Sequence, residues 1–294
     1  MEKTIGIIGV GLMGHGIALN ILKRRWQLGY LDHSGNQPTD DLIELGAKAF
    51  NDRSELARNS NIIILCVTGT PQIEEILLGE DGVLAVVEPR TVIIDCSTAV
   101  PSSTQRIADA TRAAGAHFLD AAMTRTPREA EDGRLNLLVG GDEQIFHQML
   151  PLFSCFSENQ TYAGAAGAGH KIKLLHNYVA LGSITLLAEA AACAQAGGID
   201  PALFVDVLKK GGGHGAALDR LAPFILDDDP SALQFSISNA LKDLSYYVAM
   251  SGDEKSPNAI AQSVKSALAD LVEAGAGHAY VSQLPEKISL LKEK

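Results

Sequence analysis

The sequence predicts an α/β protein, with a doubly wound sheet over residues 1–162 followed by an all-α domain over residues 163–294. Short apolar runs of strand length alternate with segments of helical periodicity up to about Tyr162. No strand-like run follows Tyr162, and clusters of glycine, aspartate and proline separate the helical segments there. A chain of 294 residues, of which 46% are hydrophobic, is long enough to bury two cores.

The composition argues against several partners and locations. A formal net charge of -11 argues against nucleic-acid and anionic membrane surfaces, because both require clustered Lys and Arg. Glycines interrupt the first apolar run, unlike a secretory signal, and we expect no membrane span. Histidine and cysteine spacings predict no metal site. The four cysteines lack a CxxC pair and predict reduced core thiols of a cytoplasmic protein: Cys66, Cys96, Cys155 and Cys193.

The first predicted strand, Thr4–Ile8, leads directly into the run Gly9-Val10-Gly11-Leu12-Met13-Gly14. Ile17, Ala18 and Ile21 then repeat at helical spacing, so the glycines lie at a strand-to-helix turn. Glycines there permit a tight turn, close approach of the backbone to a pyrophosphate and close helix packing. We therefore predict a Rossmann-type dinucleotide site at this run; a glycine turn without a ligand is the alternative.

The second predicted strand, Gln27–Leu31, is followed by Asp32. A carboxylate about twenty residues after the first glycine accepts hydrogen bonds from the ribose hydroxyls and repels a 2′-phosphate. No Arg or Lys follows before Gln37, so the sequence favours NAD and leaves NADP open. A surface aspartate in a turn is the alternative.

Further strands complete the alternating pattern: Asn61–Val67, Thr91–Cys96, His117–Ala121 and Leu135–Gly140. Open α/β sheets bind ligands at the carboxyl ends of their strands. We therefore expect the residues at two of these ends to line the cofactor cleft: Val67, Thr68, Ser97 and Thr98.

A long apolar segment without proline, from Gly164 to Gly197, predicts one helix that ends at glycine. Lys173 and Asn177 lie four residues apart and share one helix face. A lysine that extends to solvent beside a structural asparagine is one interpretation. A lysine and an asparagine of an active site are the other, and the helix alone does not decide between them.

The chain resembles the β-hydroxyacid dehydrogenase family, which includes 3-hydroxyisobutyrate dehydrogenase, tartronate semialdehyde reductase and shorter relatives of 6-phosphogluconate dehydrogenase. The resemblance covers essentially the whole chain. It is carried by four motifs in order: the Gly9 to Gly14 run, Asp95-Cys96-Ser97-Thr98, Gly167-Ala168-Gly169 with Lys173 and Asn177, and Lys242-Asp243-Leu244.

The resemblance implies specific roles. Lys173 is similar to the family's catalytic acid/base, and Asn177 to the asparagine that orients the substrate. Lys242 matches a lysine near the nicotinamide and the substrate, Asp243 is its neighbour, and Phe235 helps to line the cleft. The hydride chemistry belongs to the nicotinamide.

One segment departs from the family. Where many members have Ser-Gly-Gly for the substrate carboxylate, this chain has Met123-Thr124-Arg125-Thr126, similar to the loop of sulfolactaldehyde reductases. Arg125 offers a planar fork for a carboxylate or sulfonate. An ion pair of Arg125 with Glu129 or Glu131 is the alternative.

We therefore expect an NAD-preferring dehydrogenase or reductase of a short, anionic 3-hydroxy acid and its semialdehyde. A reductase of a sulfonated aldehyde, an imine reductase and a non-catalytic dinucleotide-binding protein are the alternatives. Imine reductases typically have Asp or Tyr where Lys173 stands, so the lysine counts against them. By resemblance, the helical domain implies a homodimer or homotetramer.

Overall fold

The computed structural model describes residues 4–293, and one eight-stranded sheet forms within this range. The strands are β1 (Thr4–Ile8), β2 (Gln27–Leu31), β3 (Lys48–Phe50), β4 (Ile62–Leu65), β5 (Val92–Asp95), β6 (His117–Thr124), β7 (Leu135–Gly141) and β8 (Ser157–Gly164). Their order across the sheet is β3-β2-β1-β4-β5-β6-β7-β8. The β6–β7 pair is antiparallel, and the other neighbouring pairs, including β7–β8, are parallel. The predicted α/β class with a doubly wound sheet is confirmed.

Helices cover both faces of this sheet. They are α1 (Leu12–Lys23), α2 (Asp40–Glu44), α3 (Arg53–Arg58), α4 (Thr70–Leu78), α5 (Pro101–Ala113), α6 (Pro127–Glu131) and α7 (Glu143–Phe156). In β4, Ile62 and Ile64 pack in the core that contains residues of α1 and α7. Ile63 and Leu65 pack in the opposite core, with residues of α3, α4 and α5. Burial on both faces explains why the strands are continuous apolar runs.

Two strands were missed by the sequence prediction, and one was predicted too short. The three-residue β3 and the polar β8 lie at the two edges of the sheet, where few side chains are buried and no hydrophobic pattern marks a strand. The strand predicted at His117–Ala121 continues to Thr124, because its last residues pair with β7.

The long helix α8 (Ala168–Ala196) begins later than predicted. Gly164 ends β8, and Gly167 has φ +88°, so the predicted helix start was wrong. The predicted stop at glycine is confirmed, since Gly198 has φ +70° and its N–H donates to the Gln195 carbonyl.

By its internal contacts the chain divides into two units, residues 1–173 and 174–294, so the boundary lies within α8. The second unit contains the rest of α8 and then α9 (Pro201–Lys210), α10 (Ala216–Asp227), α11 (Ile237–Asp253), α12 (Ala259–Leu271) and α13 (Leu284–Lys287). Leu181, Ile184 and Ala188 of α8 pack in the core of this unit. Its described residues form helices, with one isolated β-bridge between Ser236 and Tyr280.

Helix α8 is long and apolar enough to cross a membrane by length and composition alone. This is weak support for a membrane span, because the core helix of a globular domain passes the same test. The helix carries polar residues, and 44% of its most apolar 18-residue segment is buried. Both features fit such a core helix.

Candidate active site

The glycine turn after β1 is built by two close backbone approaches. A Cβ on Gly9 would lie 2.2 Å from the Cys66 carbonyl oxygen, and one on Gly14 would lie 1.9 Å from the Gly9 carbonyl oxygen. At Gly11 the nearest atom to an added Cβ is the Gly35 carbonyl oxygen, 3.8 Å away. Helix α1 begins directly after Gly11 and has no side-chain cap. An open surface beside uncapped N–H groups fits the pyrophosphate of a dinucleotide.

The loop after β2 is attached to the glycine turn. The Asn36 side chain accepts a hydrogen bond from the Val10 N–H at 3.3 Å and donates to the Leu31 carbonyl at 3.0 Å. The Gln37 N–H donates to the Val10 carbonyl at 2.8 Å. Asp32 is exposed at the start of this loop. Asn36, which the sequence prediction missed, therefore holds the loop that carries Asp32 against the turn.

A cavity of about 370 Å³ lies beside this turn, between α1 and the loop that leads into α2. Its lining includes His15, whose Nε2 lies 3.0 Å from Asp41 Oδ1. The side chain of His15 is 16% exposed, so most of it is buried beside Asp41.

The predicted residues at the ends of β4 and β5 lie together. The Val67 N–H donates to the Ser97 hydroxyl at 3.0 Å, and the Ser97 N–H donates to Asp95 Oδ1 at 2.9 Å. Ser97 is buried, whereas Thr68 is exposed and Thr98 is half-buried. The two strand ends are thus joined by a direct hydrogen bond at the edge of the sheet where Rossmann domains bind their ligands.

Helix α8 begins on a buried carboxylate of β6. Asp120 is fully buried, and its two oxygens accept the N–H of Gly167 at 2.7 Å and of His170 at 2.9 Å. A carboxylate at a helix N-terminus satisfies N–H groups that lack partners in the helix and complements the helix dipole. Gly169 permits this close approach, because a Cβ there would lie 2.2 Å from the Leu138 carbonyl oxygen.

A second buried carboxylate faces the same turn of α8. Asp95 pairs in register with Asp120 on the neighbouring strand, and its Oδ2 lies 3.8 Å from His170 Nε2. His170 Nδ1 lies 2.8 Å from the Thr104 hydroxyl. Burial raises the pKa of Asp95, while His170 and Ser97 oppose this rise. The sequence prediction did not assign a role to Asp95, Thr104, Asp120 or His170, because their proximity depends on the packing of α8 on the sheet.

Lys173 follows His170 by about one helical turn and is half-buried. It is the last residue of the first unit, and Asn177 lies four residues further along the same helix. The helix therefore carries both residues predicted to be catalytic, and its first turn is attached to the buried carboxylates of β5 and β6.

In the second unit, Asp243 connects Asn177 with Lys242. The Asn177 Nδ2 donates to Asp243 Oδ2 at 2.6 Å, and Lys242 Nζ lies 3.0 Å from Asp243 Oδ1. Asn177 and Asp243 are buried, at 8% and 2% exposure. His176 Nδ1 lies 2.9 Å from Asn177 Oδ1. Phe235 is half-buried against the core of this unit. Asp243 thus holds the other two predicted polar residues in place.

The segment predicted as a substrate loop is mostly strand. Met123 and Thr124 end β6, and the Thr124 hydroxyl accepts a hydrogen bond from Asn136 at 3.1 Å. Arg125 follows with φ +85°, an uncommon conformation for a residue other than glycine. Thr126 precedes α6 and donates through its N–H and its hydroxyl to Glu129. These hydrogen bonds, chiefly the one from the hydroxyl, lower the pKa of Glu129.

The Arg125 side chain has partners that the sequence did not predict. Its guanidinium pairs with Glu158 of β8 and donates to the Arg134 carbonyl. The predicted alternative partners, Glu129 and Glu131, were wrong. Since β8 was not predicted, the sequence offered no signal for Glu158.

Other reactive groups near the strand ends have limited chemistry. Burial, with a smaller contribution from Asp95, raises the pKa of the Cys66 thiol to about 12, so this thiol is not a nucleophile near neutral pH. Cys193 is exposed on α8, which corrects the expectation that all four cysteines are core residues.

Within residues 4–293, no group of three or more His, Cys, Asp or Glu side chains is arranged to hold a metal ion.

Two family models together match most of the chain. Residues 4–164 match the NAD binding domain of 6-phosphogluconate dehydrogenase. Residues 167–286 match the family described as NAD-binding of NADP-dependent 3-hydroxyisobutyrate dehydrogenase. The junction between the two matches lies just before α8.

Individual proteins give the same result. The chain is 33% identical to the 2-hydroxy-3-oxopropionate reductase of Escherichia coli, over 67% of each chain. It is 30% identical to the 3-hydroxyisobutyrate dehydrogenase of Pseudomonas aeruginosa, over 75% of this chain and 74% of that protein. The solved 3-hydroxyisobutyrate dehydrogenase of Mycobacterium tuberculosis, with L-serine, covers 99% of this chain and is itself covered completely, with a TM-score of 0.86. At 22% identity, this last likeness shows the fold alone.

Proposed function

Because the chain belongs to the β-hydroxyacid dehydrogenase family, we propose that it transfers hydride between NAD and a short 3-hydroxy acid or its semialdehyde. The protein is an oxidoreductase with a nicotinamide cofactor, so the proposal concerns the substrate, the preference for NAD and the residues. One observation supports it above others: Lys173 lies on the helix whose first turn is attached to Asp120, at the edge of the sheet that carries the glycine turn and Ser97.

The proposed chemistry assigns Lys173 as the acid/base. A bound nicotinamide would supply the hydride chemistry. Nζ of Lys173 would take the hydroxyl proton in oxidation and return a proton to the carbonyl oxygen in reduction. A lysine one turn from a fully buried anchor residue is supported by a rigid element, as an acid/base group requires.

The geometry of the first unit supports the proposed cofactor-binding residues. We assign the phosphates to Gly9, Gly11, Leu12, Met13 and Gly14, where α1 begins without a side-chain cap. Val67, Thr68, Ser97 and Thr98 would face the nicotinamide half of the cofactor. Asp32 would accept hydrogen bonds from the adenosine ribose, which favours NAD over NADP.

Asn177 and Lys242 are the proposed substrate-binding residues of the second unit, and Asp243 orients both. The substrate class rests on the names of relatives, which include dehydrogenases of L-serine, 2-(hydroxymethyl)glutarate and 3-hydroxyisobutyrate. All three compounds carry a hydroxymethyl group on the carbon alpha to a carboxylate, so that the hydroxyl is on the beta carbon. A short 3-hydroxy carboxylate is therefore the proposed substrate. A sulfonated aldehyde is the alternative substrate, which the activity assay described below also includes.

Location and assembly remain part of the proposal. The predicted cytoplasmic location rests on the reduced cysteines, and a homodimer or homotetramer rests on the family. Size-exclusion chromatography with light scattering measures the assembly directly.

The test of the function is reduction or oxidation of the cofactor at 340 nm, with NAD and NADP, over hydroxy acids, semialdehydes, sulfonated aldehydes and cyclic imines. We expect the largest kcat/KM for a 3-hydroxy carboxylate with NAD. A larger value for an imine, or none for any compound, overturns the proposed function. Asp32→Ala should reduce the preference for NAD over NADP, whereas Asp81→Ala, an exposed aspartate of the same unit, should preserve it.

The acid/base assignment has its own matched control on the same helix. Lys173→Ala should lose nearly all turnover while NADH binding, followed by its fluorescence, changes less than twofold. Lys171→Ala removes an exposed lysine two residues earlier and should keep turnover within twofold. Normal turnover of Lys173→Ala contradicts the assignment.

A further inference from the structure

Two buried polar atoms face each other at the start of α8 and are not used in the proposed reaction. Asp95 Oδ2 and His170 Nε2 lie 3.8 Å apart, in side chains that are 1% and 0% exposed. Neither atom has a hydrogen-bond partner among the residues that the structure describes. Buried polar groups normally have partners, because an unpaired group keeps the cost of its desolvation.

The hydrogen bonds of the neighbours determine where a proton is needed. The Thr104 hydroxyl lies 3.2 Å from the Val100 carbonyl oxygen and 2.8 Å from His170 Nδ1, and it donates its single proton to one of them. His170 Nδ1 donates to the hydroxyl in the first case and accepts its proton in the second. In both cases a lone pair on Nε2 would face the Asp95 carboxylate in a dry site unless a proton lies between these two atoms. One proton between Nε2 and Oδ2, held by either residue, removes this repulsion.

The other charged and titratable groups around Asp95 also favour this proton. Asp120 lies opposite Asp95 in the sheet, and its carboxylate accepts hydrogen bonds from the N–H groups of Gly167 and His170. Burial and, to a smaller extent, Asp120 raise the pKa of Asp95, while His170 and the hydrogen bonds from Ser97 lower it less than burial raises it. Cys66 and Cys96 are neighbouring thiols whose own pKa values are raised, so they add no charge.

The pair lies between two parts of the proposed site. On one side, Asp95 Oδ1 accepts the Ser97 N–H, and Ser97 in turn accepts the Val67 N–H, which connects the pair to the strand ends. On the other side, His170 lies in the first turn of α8, and Lys173 follows one turn later. A change in this pair therefore reaches both the strand ends and the lysine.

We propose that Asp95 and His170 are positioning residues that share one buried proton and hold Lys173 in register with the strand ends at Val67 and Ser97. The inference rests on the proposed role of Lys173. The pair does not touch the substrate, and its effect is on the position of the helix that carries the acid/base.

Two substitutions at His170 separate its two contacts. His170→Asn retains a donor near the Nδ1 position, toward Thr104, and loses the group that faces Asp95. His170→Gln retains a neutral donor near the Nε2 position, toward Asp95. We expect kcat to fall at least tenfold in His170→Asn, with KM and the NADH dissociation constant changed less than twofold, and to remain within threefold of the original value in His170→Gln.

Thr111→Val is the control, because Thr111 is a fully buried threonine of the same helix as Thr104 and donates only to the Ile107 carbonyl. Its kcat should not change. Equal kcat in both His170 variants and the unaltered protein overturns the proposal. An equal loss of kcat in both His170 variants, together with weaker NADH binding, also overturns the proposal, because it indicates a merely structural role of His170.

A second readout does not depend on turnover. In the NADH complex, amide hydrogen exchange over residues 168–173 should be at least tenfold faster in His170→Asn than in His170→Gln. Equal exchange in these variants also overturns the proposal. If the unaltered protein turns over no compound, the proposed function fails, and this exchange comparison still tests the pair.

Discussion

Asn177 donates a hydrogen bond to Asp243 at 2.6 Å, and the same carboxylate forms an ion pair with Lys242 at 3.0 Å. One buried carboxylate therefore orients the amide and the ammonium that we assign to the substrate. Because Asp243 is only 2% exposed, it acts through these two side chains.

Asp243→Ala should lower kcat/KM at least tenfold, because Asn177 and Lys242 lose the group that orients them. It should also lower the free energy of unfolding by about 1–3 kcal/mol, since a buried amide is left without its acceptor. Steady-state kinetics and urea denaturation measure the two effects. Asp253→Ala, at the exposed end of the same helix, is the control and should change neither. Unchanged kinetics of Asp243→Ala would remove Asp243 from the site.

Asp120→Asn should destabilise the protein by about 3 kcal/mol, because the amide keeps one acceptor and points its NH₂ at a buried N–H of α8. Asp142→Asn is a matched control: Asp142 also accepts two N–H groups, from Gln144 and Ile145, but it is exposed. Asp142→Asn should lower the free energy of unfolding by about 1 kcal/mol or less. Equal losses in urea denaturation would show that burial of Asp120 contributes nothing.

The raised pKa of Asp95 has a consequence for stability against pH. Its ordinary value is 3.8, and burial makes the folded protein hold this proton more strongly than the unfolded chain. The folded state therefore loses stability as pH rises from about 3.8 through the raised pKa. Asp95→Asn cannot titrate, so its Tm relative to the unaltered protein should increase over this range. Parallel curves for Asp95→Asn would contradict the assigned direction.

Arg125 provides the test of the substrate loop. If it binds the anionic group of the substrate, Arg125→Ala should raise KM about tenfold or more, through loss of a charge-assisted hydrogen bond. Glu158→Gln removes the partner that holds the guanidinium and should leave KM within twofold or lower it. A similar rise in KM for both variants would instead mean that the ion pair maintains the end of β6.

The sequence alone predicted the parts of this protein that depend on local pattern. The glycine turn, its flanking strand and helix, and the glycine stop of α8 each follow from residues close together in the chain, where periodicity and backbone freedom are sufficient. The buried strands were found because both faces are covered, which makes them continuous apolar runs. Val67 and Ser97 lie together because parallel strands end at one edge of the sheet, while their place in the cofactor cleft stays a prediction.

Only the tertiary structure decided the contacts that carry no local signal. The edge strand β8 is polar, so neither the strand nor the pairing of Glu158 with Arg125 was predicted. The association of Asp95, Asp120 and His170 depends on how α8 packs against β5 and β6, across long stretches of chain. Sequence periodicity reports which face of an element is buried, but a hydrogen bond between distant residues depends on the register and approach of the packed elements.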